Sequence, residues 1–292
     1  MRPNHHQFVA FAYVVREGSF SAAAIELGVT QSTITQHVSK LEENVGAQLL
    51  VRRRDGVEVT PTGQSLYDLA DRLVAVDTAI GERLKGFAAM KEGRIKVIAN
   101  APQPALSIIK HFHDLFPDIH IDFGLHDWTT ANSMMRNRLA DIGLITDPPE
   151  HEECDRHFLM NAHYVAYCKQ APGLAKCQSI NLKNIAQHTL ILPEKGSLTQ
   201  RVVRSKLEEL NIVPNKIINM TTFPVMCEAV LQGIGVAIFL ERSSMIKDGL
   251  VELKIDEFDK SHETWLVVPK DKAKLRLISE FTSTAISKTL NS

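Results

Sequence analysis

The apolar positions near the start of the chain repeat with a helical period. Phe8, Phe11, Ala12 and Val15 fall at i, i+3, i+4 and i+7, one face of an ordinary helix. Phe20, Ala23, Ala24 and Leu27 make a second such face, with Ser19 placed to cap that helix and Gly28 to stop it. Thr30 can cap a third helix over 31–45, in which Ile34, Val38, Leu41 and Val45 cluster on one side. Two short helices joined by a tight Gly-containing turn, with small alanines at their approach, form a helix-turn-helix pattern. The helical period then breaks over 52–61. There Val57 and Val59 alternate as in a strand and Asp55-Gly56 signals a hairpin turn. It resumes over 62–87 with Leu66, Leu69, Leu73, Val76, Ile80 and Leu84 at three- and four-residue steps. A helix of that length spans about 39 Å, too long for so small a domain to cover. The stripe therefore predicts pairing with a second copy of the chain.

From residue 95 the pattern changes to short β-branched runs alternating with helical stretches. Strands are predicted over 95–100, 119–125, 141–146, 164–168, 189–192, 216–220, 236–240 and 264–268. Helices are predicted over 104–115, 130–139, 198–210, 224–232 and 274–290. This alternation predicts an α/β domain with a largely parallel sheet covered on both faces. The expected organisation is a winged helix-turn-helix over 1–61, a linker helix over 62–90 and an α/β domain over 95–292, with a boundary near 91–94.

Composition narrows the function. Across 292 residues, 33 Lys and Arg face 34 Asp and Glu, a net charge of −1, which excludes a protein held on nucleic acid by bulk charge. Through Thr60 the head has six bases and six acids, and half of the bases sit in the Arg52-Arg53-Arg54 triplet. No apolar run approaches the roughly 18 residues a membrane helix needs. Phe8 to Val15 is closed at once by Arg16 and Glu17, so it reads as a helix rather than a targeting segment. The four cysteines form no C-x-x-C pair and suit reduced thiols. A soluble cytoplasmic chain, with no membrane partner, is expected.

The outer face of the third helix carries Ser32, Thr33, Thr35, Gln36, Ser39 and Lys40, with Gln31 at its start. A helix entering the major groove needs short or amide-bearing side chains in its first turns. Gln pairs with adenine, while Ser and Thr suit phosphates or either base type. A solvated polar face is the competing reading. The preceding helix, the tight turn and the basic triplet Arg52, Arg53 and Arg54, read as phosphate contacts of a wing, weigh against it.

These residues resemble the LysR-type family of bacterial transcriptional regulators. The resemblance is carried by Phe8, Phe11, Gly18-Ser19-Phe20-Ser21, Ala23-Ala24, Leu27, Thr30-Gln31-Ser32, Leu41-Glu42, Gly46, Leu49, Arg52 and Val59-Thr60-Pro61-Thr62-Gly63. It is dense over 5–65 and looser beyond. Ser32 stands where the family usually has Pro, Thr35 where Ser is common, and Leu50 where Phe usually follows Leu. The resemblance implies a winged helix-turn-helix on promoter DNA, dimerisation through the linker helix and assembly as a homotetramer. It implies a periplasmic-binding-protein-like pair of subdomains, here over 95–161 with 267–292 and over 162–266, joined by two crossing strands. A small-molecule inducer between them would control the output, with RNA polymerase a further partner where that output is activation.

In open α/β sheets ligands sit beyond the carboxyl ends of the strands, where helix N-termini converge. Those positions are Asn100, Ala101, Pro102 and Gln103; Trp128 and Thr129; Thr146; Ser197, Leu198 and Thr199; and Thr222 and Phe223. Hydroxyls and helix-start N–H groups suit a small carboxylate or phosphonate-like anion, although each Ser or Thr is also simply a good N-cap. Segments 97–103 and 196–201 are similar to LysR-type regulators linked to organophosphonate use. An enzyme is the competing class, but no G-x-S-x-G, P-loop or H-E-x-x-H motif is present. Gly233-Ile234-Gly235 lacks the third glycine of a dinucleotide loop. His151, Cys154 and His157 fall in an acidic stretch read as a surface loop rather than a metal site. No catalytic residue, metal or cofactor is expected. A free-standing solute-binding protein is a third reading, against which the DNA-binding pattern argues.

Overall fold

A computed structural model describes residues 3–53, 56–85, 93–170, 177–243 and 249–290. The head begins with α1 (His5–Glu17), α2 (Phe20–Glu26) and α3 (Gln31–Val45). Asn4, Ser19 and Thr30 cap them through side-chain oxygens, and Gly18 and Gly46 end α1 and α3 in the left-handed region. Strands β1 (Leu50–Arg53) and β2 (Gly56–Val59) pair antiparallel as the wing. Arg54 and Asp55 lie outside the described residues.

The family-like residues hold the wing to the linker helix. Glu42 accepts from the Leu49 and Leu50 amides at 2.8 and 3.2 Å. The Thr60 hydroxyl accepts from the Gly63 amide at 3.0 Å, starting α4 (Pro61–Lys85). A Cβ on Gly63 would lie 2.1 Å from the Leu49 carbonyl oxygen, so only glycine lets α4 pass this close to β1. Phe11, Leu41, Leu49 and Tyr67 form the buried centre of the head.

The remaining elements run in order: β3 (Arg94–Ala99), α5 (Ala105–Leu115), β4 (His120–Leu125), α6 (Trp128–Arg136), β5 (Ile142–Thr146), β6 (Cys154–Ala162), β7 (Tyr164–Lys169), β8 (Ser179–Ile180), α7 (Leu182–Ile185), β9 (Thr189–Pro193), α8 (Leu198–Glu209), β10 (Lys216–Met220), α9 (Phe223–Leu231), β11 (Val236–Leu240), β12 (Leu250–Ile255), β13 (His262–Pro269) and α10 (Arg276–Leu290). They form two sheets, ordered β4-β3-β5-β13-β6 and β10-β9-β11-β7-β12-β8. Each sheet is covered on both faces. In the first, Val97 and Leu144 pack toward α5 and α10, while Ile98 and Ile145 pack toward α6.

The structure differs from the sequence-based expectation in several elements. The sheets are mixed rather than largely parallel, because β7 and β13, each the first strand after the chain passes between sheets, run antiparallel to both of their neighbours. The acidic stretch at 151–157 is not all loop: from Cys154 it is β6, paired along its length with β13. The return strand β13 starts at His262 and lies wholly in the first sheet, ahead of the expected division at 267. Trp128 and Thr129 form the first turn of α6 rather than a loop before it, because Asp127 accepts from the Thr129 and Thr130 amides. β8, α7 and β12 are additions. In β12, exposed Glu252 and Lys254 alternate with buried Leu253 and Ile255.

The head is joined to the first sheet of its own chain by buried charges. Arg16 of α1 donates to Asp141 at 2.5 Å, and Arg138 donates to Asp71 of α4 at 2.8 Å and to Asp271 at 2.5 Å. Lys272 lies 3.0 Å from Asp71 and 3.3 Å from Asp141. Around this centre Arg94 meets Glu17, Glu26 and Asp122, and Arg72 meets Glu153. Burial pushes the Asp141 carboxyl toward protonation, but Arg16, Lys272 and the Lys96 amide outweigh it and hold it below the usual range. A depressed folded-state pKa gives stability that is complete above the unfolded value of about 3.9 and lost as pH falls through the folded value. The melting temperature of the wild type should therefore fall more steeply below about pH 4 than that of Asp141→Asn, as followed by circular dichroism.

Candidate functional sites

The polar face of α3 is open. Gln31, Ser32, Gln36, Ser39 and Lys40 are exposed, and Thr33 and Thr35 are half-buried beside them. Ile34, Val38 and Leu41 on the opposite face are buried in the head, which fixes the outward roll of the helix. The Thr30 hydroxyl lies 2.8 Å from both the Ser32 and Thr33 hydroxyls, so three oxygens cluster at the helix start. Gln31, Ser32, Thr33, Thr35 and Gln36 together border a shallow concavity. Of the basic triplet, Arg52 stacks on Phe20 at 4.4 Å and Arg53 pairs with Glu58 at 2.7 Å. Both guanidinium groups are thus already oriented at the wing, while Arg54 lies outside the described residues.

Along α4, Leu69, Val76 and Ile80 are more than half exposed and Leu73 is 37% exposed. On the other side of the helix Tyr67, Ala70, Val74 and Ala75 are buried. One face packs on the chain and the other presents an apolar stripe.

Between the two sheets lies a cavity of ≈ 200 Å³. Nine of the residues named from sequence line it: Asn100, Ala101, Pro102, Trp128, Ser197, Leu198, Thr199, Thr222 and Phe223. Three others do not. The Thr146 amide donates to Asn100 at 2.9 Å and its carbonyl accepts from the Trp128 indole at 2.8 Å, so Thr146 holds two wall residues from behind. The Thr129 hydroxyl donates to the Gly196 carbonyl at 3.1 Å, bridging the mouth from one subdomain to the other. Gln103 lies before Pro104, off the wall.

The walls also include residues the sequence reading did not place there, among them Leu125, Asp127, Tyr164, Met226, Phe239 and Ser243. Phe223 and Phe239 meet edge to face at 4.3 Å, and Phe239 meets Tyr167 at 5.7 Å, making an apolar floor. Tyr164 begins β7 close to Thr199, where burial raises its pKa and keeps the hydroxyl neutral. No local motif marks these positions; the strand ends that carry them meet only after folding.

The cavity is rich in donors. Ser197 and Thr222 precede α8 and α9 and line the cavity, yet neither side chain caps its helix, so neither hydroxyl is taken up by its own helix start. Asp127 is committed to the Thr129 and Thr130 amides and the Thr130 hydroxyl. These bonds hold its carboxyl below the usual range against the opposing effect of burial. Glu194 has one buried oxygen without a hydrogen-bond partner in the same wall. Arg201 stacks on Trp128 at 4.1 Å and holds the indole face. The arrangement can bind an anion that also carries a donor for Glu194.

The mouth is closed at Gly196, which has φ 99° and where a Cβ would lie 2.7 Å from the Asp127 carboxylate. Asp127 cannot swing aside without releasing two helix-start amides. Gly196→Ala is expected to part the mouth and speed amide exchange at Thr129 by about tenfold, as for a local opening made easier by about 1.4 kcal/mol. Exchange mass spectrometry checks this.

Comparison with known proteins gives consistent matches along the chain. Residues 5–64 match the model of the bacterial regulatory helix-turn-helix protein, lysR family, and residues 89–287 match the LysR substrate binding domain. The HTH-type transcriptional activator CmpR of Synechocystis sp. is 26% identical over 274 residues, covering 91% of this chain and 90% of that protein. Full-length OxyR from Pseudomonas aeruginosa superposes with a TM-score of 0.77 at 17% identity, over 98% of this chain and 95% of that one. The Synechocystis CcmR regulatory domain, solved in complex with 2-PG, superposes with a TM-score of 0.60 at 18% identity, over 68% of this chain and 98% of that domain.

Proposed function

Since the chain belongs to the LysR-type family of transcriptional regulators, we propose that it binds promoter DNA through α3 and is switched by a small anion held in the cleft between its subdomains. The observation that carries this reading is the pairing of two sites in one chain. One is an open, polar recognition face; the other is a donor-rich cavity into which α8 and α9 point uncapped N-termini. Gln31, Ser32, Thr33, Thr35, Gln36, Ser39 and Lys40 are the candidate groove contacts. Arg52, Arg53 and Arg54 are the candidate phosphate contacts. With so few cations on a neutral head, salt should weaken each head only modestly.

The inducer we infer is a carboxylate or phosphonate-like anion with a hydroxyl or ammonium group. Its charge would sit at Ser197 and Thr222, and its donor would satisfy Glu194. That a related regulatory domain was solved with 2-PG fits a small ligand in this kind of cleft. The exposed stripe of α4 is the surface through which two copies would pair, bringing two recognition helices to one operator.

Retardation of the DNA upstream of the gene in a mobility-shift assay is the first test, and no retardation of any promoter fragment would remove the reading. Val76→Glu with Ile80→Glu should shift the protein to monomers in sedimentation and abolish that retardation. Ser197→Ala should weaken binding of the true inducer by about 1.5–3 kcal/mol, one hydrogen bond to a charged group, and leave operator binding intact. Unchanged affinity in calorimetry would count against the inducer assignment.

A further inference from the structure

The cleft and the head are spanned by the same two elements. α6 begins at Trp128 in the cavity wall and ends at Arg136, two residues before Arg138, about 13 Å away along the helix. β5 runs from beside Asp141 to Thr146, which holds Trp128 and Asn100, a span of about 16 Å. At one end both elements carry the cleft wall. At the other they carry Arg138 and Asp141, which grip α4 and α1 of the head.

The chemistry at that far end is unusual for a mere weld. Arg138 has φ 58°, in the left-handed region, at the end of α6 where glycine is the favoured residue. The chain accepts that backbone with an arginine whose guanidinium bridges Asp71 and Asp271. The Arg138 carbonyl accepts from the Tyr67 hydroxyl at 3.1 Å. Asp141 takes Arg16 at 2.5 Å, Lys272 at 3.3 Å and the Lys96 amide at 2.9 Å. Apolar side chains of similar volume would hold two surfaces at least as firmly. A buried ion cluster differs in being all or none: a cation drawn out of line leaves its carboxylate buried and unpaired, so the contact either closes or opens to water.

We propose that this charge clasp is the joint through which the state of the cleft sets the position of the DNA-binding head, with Arg138 and Asp141 as its positioning residues. This rests on the cleft being the controlling site. Movement of Trp128 when the cleft fills or opens tilts α6 and β5 and draws Arg138 and Asp141 away from Asp71 and Arg16, freeing α1 and α4. Coupling of this kind is reciprocal, so releasing the clasp must also loosen the cleft.

The test is amide exchange on the full-length chain, with neither inducer nor DNA added, so its failure is separate from failure of the inducer assignment. Gly196→Ala, which parts the mouth, should speed exchange about tenfold in the last turn of α1. Arg138→Gly, which suits the backbone but removes the guanidinium, should speed exchange at Thr129 across the subdomain while β11 stays protected. Asp141→Asn, close in shape, should do the same. In the Arg138→Gly background, Gly196→Ala should have no further effect on α1. Three results would overturn the proposal: Thr129 unchanged in both clasp variants, equal loosening of β11, or a full effect of Gly196→Ala on α1 without Arg138.

Discussion

The chain passes between its two sheets twice, at His163 and again between Ile255 and His262. The cleft depends on that constraint. The first subdomain is built from two segments that flank the second, so two crossings tie the pair and they cannot separate as independent bodies. The parallel strands of each sheet end toward the crossing, and α6, α8 and α9 start there. A helix start leaves amides without intrahelical partners. Three helix starts aimed at one gap therefore make it rich in donors before any side chain is chosen. Side chains then adjust the site. Asp127 uses up the start of α6, while Ser197 and Thr222 leave the other two open.

Charge is used locally throughout. The chain is nearly neutral and so is its head, yet the buried join between head and subdomain gathers three acids and three bases within hydrogen-bonding distance of one another. Such a cluster adds little net stability, because desolvation offsets most of the attraction. What it adds is a defined geometry. Leu139, next to Arg138, packs against the head core and completes the contact with apolar surface. At the wing, Arg52 on Phe20 and Arg53 on Glu58 are likewise oriented by their neighbours instead of being left mobile.

Much of the head was legible in the sequence because its signals are local. Thr30 caps the helix it precedes, Gly46 ends it, and the apolar spacing of Ile34, Val38 and Leu41 sets its buried face. The stripe on α4 was legible for the same reason. In the α/β region the buried strands stood out, but β6 did not. Its partner β13 lies about a hundred residues on, and Glu152, Glu153 and Asp155 mask the pairing. Of the cavity, the helix starts could be named from sequence. Tyr164, Phe239 and Ser243 could not, since each becomes part of a wall only when distant strands are brought together.

The sequence alone thus determined the head's elements, most of the buried strands, the outward face of α3 and most of the helix starts, because caps, periodicity and turns act over a few residues. Tertiary structure alone decided which starts share a cleft, that Thr129 reaches Gly196 across it, and that Thr146 supports the wall instead of lining it. It also decided that Arg16, Asp71, Arg138, Asp141, Asp271 and Lys272, scattered over most of the chain, form one buried cluster. Electrostatic partners are chosen by distance in space. A list of charges along a chain holds no such distances until the fold supplies them.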